Sequence, residues 1–129
     1  MEPCLALIAH DGKKPELLAF VLRHADVLRR CSMLATERTG RLLIAETGLR
    51  VECMRSGPNG GYAQVAARVV MGEVDAVVFL VDPLDPKRRE PDLGGLLRAC
   101  NLYDVPLATN PMSARLLLTA LFEPELIIR

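Results

Sequence analysis

The chain has 129 residues, half of them apolar and a quarter charged, which predicts one globular domain with a core large enough to be stable unaided. Basic and acidic residues are equal at 16 each, so there is no overall positive field to attract nucleic acid or an anionic membrane surface. Any anion must therefore be recognised by a local site.

The apolar runs and the cysteines predict a cytoplasmic protein. The longest runs, near residues 4–9 and 74–81, are too short to cross a bilayer, and the start Met1-Glu2-Pro3 lacks the basic flank of a signal peptide. The four cysteines share no CxxC spacing and lie in apolar segments. We therefore expect buried thiols in a reducing compartment rather than a metal site or a disulfide framework.

Strand and helix patterns alternate along the chain. The run at residues 74–81 is nearly all apolar and rich in β-branched residues, so we expect it at the centre of a sheet. Gly48 and Gly72 are expected at helix ends. Strands are predicted at residues 4–9, 32–35, 49–54, 74–81 and 105–108, and helices at 16–28, 41–47, 62–71, 92–102 and 111–121.

This order predicts an α/β fold with three layers, in which a doubly wound, five-stranded parallel sheet carries helices on both faces. The connections are too long for hairpins, and parallel strands are joined by right-handed crossovers. In such sheets, ligands bind beyond the carboxyl ends of the strands. We therefore expect the loops after all five strands to open on one edge.

The loops after the first two strands carry groups suited to an anion. His10, Asp11 and Lys14 follow the first strand, where Lys14 could reach a phosphate; alternatively, Asp11 caps a helix and Lys14 is a solvated surface charge. After the second strand, Thr36 and Thr39 offer hydroxyls and Arg38 offers a guanidinium at the opening of a helix. Thr39 could also simply cap that helix, and Glu37 would repel an anion unless it points outward.

The loop after the third strand, Ser56-Gly57-Pro58-Asn59-Gly60-Gly61-Tyr62, stands between a strand pattern and a helix pattern. Glycines there can turn successive backbone N–H groups into one concavity, to which the following helix adds its positive end. A plain strand-to-helix turn has the same composition. The segment is therefore a candidate phosphate cradle.

The loop after the fourth strand places Asp82 where a buried strand meets the ligand edge. A carboxylate there is expected to accept hydrogen bonds from neighbouring loops or to act in acid-base chemistry. Further along, Arg89 precedes Glu90-Pro91-Asp92, and Asp92 is expected as a helix N-cap.

Five segments in this order and spacing resemble methylglyoxal synthase, over residues 4–115. They are Leu7-Ile8-Ala9-His10-Asp11 with Lys14, Ala35-Thr36-x-x-Thr39-Gly40, Ser56-Gly57-Pro58-x-Gly60-Gly61 with Gln64, Asp82-Pro83-Leu84 with Glu90-Pro91-Asp92, and Pro106-Leu107-Ala108-Thr109-Asn110. The family is cytoplasmic, usually hexameric, and converts dihydroxyacetone phosphate to methylglyoxal and phosphate without metal or organic cofactor. The same fold binds effectors in the regulatory domain of carbamoyl phosphate synthetase.

The resemblance implies a role for each matching residue. His10 would polarise the substrate carbonyl, and Asp11, Asp82 and Asp92 would form the acidic surroundings. A homo-oligomer, a small phosphorylated metabolite or inorganic phosphate as ligand, and no nucleic-acid or membrane partner are implied as well. The residues that would hold phosphate are Lys14, Thr36, Thr39, Ser56, Gly57 and Gly61.

Three positions depart from the family pattern. Tyr62 stands where the family has the aspartate that acts as the catalytic base, Arg89 replaces a histidine, and Glu37-Arg38 interrupts the usual Thr-Gly-Thr-Thr-Gly loop. A phenol with an ordinary pKa near 10 is a poor proton acceptor at neutral pH. Two hypotheses follow: a synthase in which Asp11, Asp82 or Asp92 is the base, or a catalytically weak or silent relative that senses a phosphorylated metabolite.

Overall fold

The computed structural model describes residues 2–85 and 90–123, with the side chains of residues 90–92 excepted. None of the helices in this part of the chain is long and apolar enough to cross a membrane. The strands are β1 (Cys4–Ala9), β2 (Ser32–Ala35), β3 (Glu52–Cys53), β4 (Ala76–Leu80) and β5 (Leu107–Ala108). The helices are α1 (Lys14–Arg23), α2 (Ala25–Leu28), α3 (Glu37–Thr47), α4 (Gly61–Val70), α5 (Glu90–Tyr103) and α6 (Pro111–Phe122), with 3-10 turns at Asp11–Lys13 and Gly57–Asn59.

The strands form one parallel sheet in the order β3-β2-β1-β4-β5. This confirms the predicted five-stranded α/β architecture. The expectation that residues 74–81 form the central strand was wrong, because β1 lies in the middle and β4 beside it. Both strands are buried on both faces, so their composition alone does not rank them.

Helices cover both faces of the sheet, as predicted. On one face, α1, α3 and α6 pack on alternate residues of β1, with Leu17, Leu43 and Leu118 in that core. On the other face, α4 and α5 pack through Val65 and Leu96. Alternation along β1 serves both layers, since successive side chains of a strand point to opposite faces.

Three predicted boundaries were wrong. The first helix is interrupted at His24, whose backbone ends α1 at φ −110° and ψ 20°. The second begins at Glu37 rather than residue 41, with Thr36 at its N-cap, so Thr39 lies inside the first turn and is not the cap. Only residues 52–53 of the predicted third strand pair with β2, since this strand has a partner on one side alone.

Two smaller expectations were corrected as well. Helix α5 begins at Glu90, so the backbone of Asp92 lies in its first turn and not at the N-cap. All four cysteines are free, but Cys53 is exposed because it lies on the edge strand. Gly48 follows α3 in the left-handed conformation at φ 70°, as expected for a helix C-terminus.

Candidate functional site

All five parallel strands end at the carboxyl edge of the sheet, and the loops that follow them lie there. The fifth loop is joined to the end of β4, since the Val81 N–H donates to the Thr109 carbonyl. The Arg38 side chain of the second loop contacts Asp11 of the first. The Glu37 N–H of the second loop donates to the Arg55 carbonyl of the third. The Asp82 N–H of the fourth donates to His10. The parallel topology therefore brings together side chains that are far apart in the sequence.

His10 is fixed at this edge by two elements. Its Nδ1 accepts a 2.8 Å hydrogen bond from the Asp82 N–H, and its ring meets Phe79 edge to face at 5.2 Å. A ring nitrogen that accepts a hydrogen bond carries no hydrogen, so the hydrogen of the neutral ring is on Nε2. His10 can therefore donate a hydrogen bond without being charged.

Asp11 bridges two cations. Its Oδ1 lies 2.9 Å from Lys14 Nζ, and its Oδ2 lies 3.3 Å from Arg38. The hydrogen bond from Lys14, with the nearby charges of Lys14 and Arg38, holds the pKa of the Asp11 carboxyl below its ordinary value of 3.8. Lys14 also donates to the Ala9 carbonyl at 2.8 Å, which anchors its ammonium at the end of β1.

The start of α3 presents buried hydroxyl groups. Thr36 and Thr39 are 5% and 0% exposed, and Thr39 Oγ1 has no hydrogen-bond partner among the described residues. Glu37 points away from this position to Arg41, 3.2 Å distant along the helix. The repulsion expected between Glu37 and an anion is thereby reduced.

The third loop is held by the start of α4. The Ser56 carbonyl accepts hydrogen bonds from the Asn59 and Gly61 N–H groups at 3.0 and 2.8 Å. Gln64 Oε1 accepts from the Arg55 N–H at 2.7 Å. A side chain on Gly61 would collide with the Arg55 carbonyl, so this close turn requires glycine.

Tyr62 lies beneath this loop. Its ring stacks on Phe79 at 5.3 Å with 18° between the planes, and a side chain on Gly57 would collide with the Tyr62 ring. The ring is half-buried and packs against the core between the sheet and α4. Tyr62 therefore supports the backbone of the third loop.

Asp82 makes local contacts in the fourth loop. Its Oδ1 accepts a 3.0 Å hydrogen bond from the Leu84 N–H, and its carboxylate lies against Gly12 of the first loop. Two further candidate residues from the sequence, Arg89 and the Asp92 side chain, lie outside the described residues. The described part of the edge thus contains the other eleven predicted site residues.

Three helix starts at this edge differ from the start of α6, which begins at the same edge after β5. Neither Thr36 before α3, Ser56 before the 3-10 turn nor Gly60 before α4 makes a side-chain capping bond. At α6, Asn110 and Ser113 form a complete capping box. The starts of α3, of the 3-10 turn at Gly57–Asn59 and of α4 thus have no side-chain cap, a property that suits anion binding.

Sequence reasoning missed the part played by Phe79. The side chain is fully buried and contacts both His10 and Tyr62. In the sequence it is one of many apolar residues of β4, and its position three residues before Asp82 is the one signal that places it next to the site. Gln64 was noted as a match to the family without a role; it orders the third loop.

Comparisons with known proteins agree with the fold. A family model described as an MGS-like domain matches residues 16–109. A methylglyoxal synthase of Thermus thermophilus is 56% identical over 114 residues, which are 88% of this chain and 90% of that protein. One of Cupriavidus taiwanensis is 52% identical over 120 residues, or 93% of this chain and 90% of that protein.

A solved structure shows the same architecture. The crystal structure of methylglyoxal synthase from Elizabethkingia anophelis superimposes with a TM-score of 0.85 at 30% identity, covering 94% of this chain and 80% of that one. The resemblance stated from the five sequence segments is thereby confirmed. The chain belongs to the family of methylglyoxal synthase-like domains.

Proposed function

We propose that this chain binds a small phosphorylated metabolite, such as dihydroxyacetone phosphate, at the carboxyl edge. We propose further that it converts dihydroxyacetone phosphate to methylglyoxal and phosphate slowly or not at all. The observation that carries the proposal is the group of uncapped helix starts at the edge. Lys14 supplies a positive charge beside them, and Thr36 and Thr39 supply hydroxyls. Backbone N–H groups, hydroxyls and an ammonium together form a typical phosphate site.

The reaction of the relatives requires a base and an oxyanion donor. A base removes a proton from the hydroxymethyl carbon of the substrate, and the electron pair forms an enediolate. The enediolate expels phosphate as the C–O bond breaks, and the resulting enol tautomerises to methylglyoxal. His10, with its hydrogen on Nε2, is suited to donate to the carbonyl oxygen as negative charge develops there.

Slow turnover follows from the carboxylates of the site. Tyr62 stands at the position of the family's base, and its ring is stacked beneath the third loop. Asp11 is held between Lys14 and Arg38, which stabilise its ionised form and weaken it as a base. One Asp82 oxygen accepts from the Leu84 N–H.

A full methylglyoxal synthase is the second candidate. The identity of 56% to a methylglyoxal synthase favours it. Asp82 would then act as the base through its other oxygen, or Asp92 would do so. Turnover by the wild-type chain that is lost in Asp82→Asn or Asp92→Asn would support this candidate.

Calorimetry tests the binding proposal. Inorganic phosphate and dihydroxyacetone phosphate should both bind the wild-type chain, and Lys14→Ala should weaken binding at least about tenfold, since charged hydrogen bonds are each worth about 1.5–3 kcal/mol. Lys13→Ala is the matched control because Lys13 pairs with Glu16 at 2.9 Å. Equal binding by the Lys14→Ala variant would contradict the proposed site.

We also propose that the chain forms a homo-oligomer, and by resemblance a hexamer. An apolar groove of about 510 Å³ lies between α4 and α5, with Ala66, Val70 and Leu102 on its walls. Leu102 is 66% exposed. Burial of this surface against a second copy would remove exposed apolar area from water.

A further inference from the structure

A second groove lies between α1 and α6, on the face of the sheet opposite α4 and α5. Its volume is about 350 Å³. The apolar part of its lining includes Phe20 and Met112, and its basic part consists of Arg23, His24 and Arg115. An apolar surface with three basic side chains around it is unlike the carboxyl edge, where hydroxyls and backbone N–H groups dominate.

The positive charge in this groove lacks a compensating carboxylate. Within residues 2–85 and 90–123, neither Arg23 nor Arg115 takes part in an ion pair. Glu16 lines the same groove, but its carboxylate lies 2.9 Å from the Lys13 ammonium. The groove therefore holds two arginines whose charges no described side chain neutralises.

His24 lines the same groove as the two arginines. Its ring packs on Phe20 with centroids 4.8 Å apart, and its Nε2 is buried with no hydrogen-bond partner among the described residues. Buried polar atoms in proteins nearly always have a hydrogen-bond partner, so this nitrogen lacks an interaction that a bound ligand can supply. Burial, together with the charges of Arg23 and Arg115, lowers the pKa of the His24 imidazole below 6.5.

We propose that this groove is a second ligand site, which binds a small organic anion with its charged group between Arg23 and Arg115 and its apolar body against Phe20 and Met112. The anion neutralises the two guanidinium groups and offers an acceptor close to His24. Both arginines are exposed, so their side chains can adjust around the ligand. The site is separate from the proposed phosphate site and does not depend on catalysis.

Histidine NMR tests this site directly, because the chain has two histidines, one at each site. Phenyl phosphate is the probe, added at pH 7.5 while the ring signals of His10 and His24 are followed. The His24 signal should shift and saturate, and Arg23→Gln/Arg115→Gln should weaken this response at least about tenfold. Arg29→Gln is the matched control, because Arg29 is exposed and pairs with Asp26.

The His10 signal separates failure of this proposal from failure of the proposed function. The double variant should keep the response of His10 to inorganic phosphate, since it leaves the carboxyl edge unchanged. Benzyl alcohol, a neutral analogue, should leave His24 unmoved. An unmoved His24 signal with phenyl phosphate, or a response that survives in the double variant, would overturn the second site whatever His10 does.

The titration of His24 supplies an independent readout. The His24 titration is followed with and without benzoate, whose carboxylate supplies the negative charge of the ligand. Bound benzoate should raise the His24 titration midpoint, because its negative charge offsets the positive charges of Arg23 and Arg115. In the double variant, which lacks both charges, the midpoint should already be higher, and benzoate should not change it. A midpoint unaffected by both changes would contradict the electrostatic basis of the site.

Discussion

The Tyr62 ring stacks on the Phe79 ring, with centroids 5.3 Å apart and 18° between their planes. Phe79 also meets His10 edge to face at 5.2 Å. One buried side chain of β4 thus contacts residues that precede α1 and open α4. Residue 62 is thereby joined to the packing of the core.

We expect Gly57→Ala to destabilise the chain through Tyr62. A Cβ at position 57 would overlap the Tyr62 ring, and overpacking of this kind costs about 1–3 kcal/mol. Urea denaturation of the single variant, of Tyr62→Ala and of the double variant measures the coupling. The cost of Gly57→Ala should be smaller in the Tyr62→Ala background, and an equal cost in both backgrounds would contradict the contact.

Phe79→Leu should weaken phosphate binding as well as stability. The smaller side chain cannot contact both rings, so His10 and the third loop lose a common support. Val77→Ala is the control, because Val77 is fully buried two residues earlier on the same face of β4. Both variants should lose about 1–3 kcal/mol of unfolding free energy, but only Phe79→Leu should weaken phosphate binding in calorimetry. Similar binding by both variants would remove Phe79 from the support of the site.

Asp11 should contribute a small, acid-sensitive part of the stability. Because the folded state lowers the pKa of this carboxyl, the contribution is complete above the ordinary value of 3.8 and is lost as pH falls through the lower folded value. The side chain is 66% exposed, so solvent screening limits the effect to less than about 1 kcal/mol.

Urea denaturation of Asp11→Asn at pH 7 and pH 3 measures this contribution. The variant should be less stable than the wild type at pH 7, and the difference should shrink at pH 3. Glu46→Gln is the control, because Glu46 is an exposed carboxylate of α3 without an ion pair in the described part of the chain. A difference that grows towards pH 3 would have the wrong sign.

The bounds of a strand were predictable where burial in the core alone determines them. β1 and β2 have the predicted bounds, because apolar runs buried on both faces end at polar residues. β3 is shorter than predicted because strand pairing, and not local pattern, decides an edge strand: only Glu52 and Cys53 have partners. The break between α1 and α2 at His24 also could not be predicted from the apolar pattern, because the apolar stripe of Val21 and Leu28 continues across it.

The position of the candidate site was predictable from topology, but its internal contacts were not. Parallel strands place the ends of β1, β2, β3 and β4 at one edge, so the loops could be grouped from the order of elements alone. The bridge from Arg38 to Asp11 joins residues 27 positions apart, and the stacking of Tyr62 on Phe79 depends on how α4 lies on the sheet. Such side-chain contacts follow from tertiary packing and leave no periodic signal in the sequence.

Light scattering should detect a homo-oligomer at micromolar concentration, and Leu102→Glu should dissociate it by placing a charge in the α4/α5 groove. Leu22→Glu is the control because Leu22 is 53% exposed on α1, on the opposite face of the sheet. A monomeric wild type would contradict the proposed assembly, and dissociation by both variants would contradict the assignment to this groove.

Tyr62→Asp should raise the turnover of dihydroxyacetone phosphate. The acceptor of a carbon-bound proton must lie within hydrogen-bond reach of it, and residue 62 is fixed beside the third loop as the second residue of α4. A positioned general base contributes about 10²–10⁴-fold, which sets the size of the expected increase. Tyr62→Asn is the matched control, since it removes the ring in the same way but supplies no base.

A direct assay of methylglyoxal and phosphate release distinguishes the two candidate functions. Weak wild-type turnover that rises in Tyr62→Asp but not in Tyr62→Asn would support a binding protein that has lost its base. Fast wild-type turnover abolished by Asp82→Asn or Asp92→Asn would instead identify the substitute base. Equal gains in both Tyr62 variants would mean that loss of the ring, and not the new carboxylate, causes the increase, because only the aspartate can accept the proton.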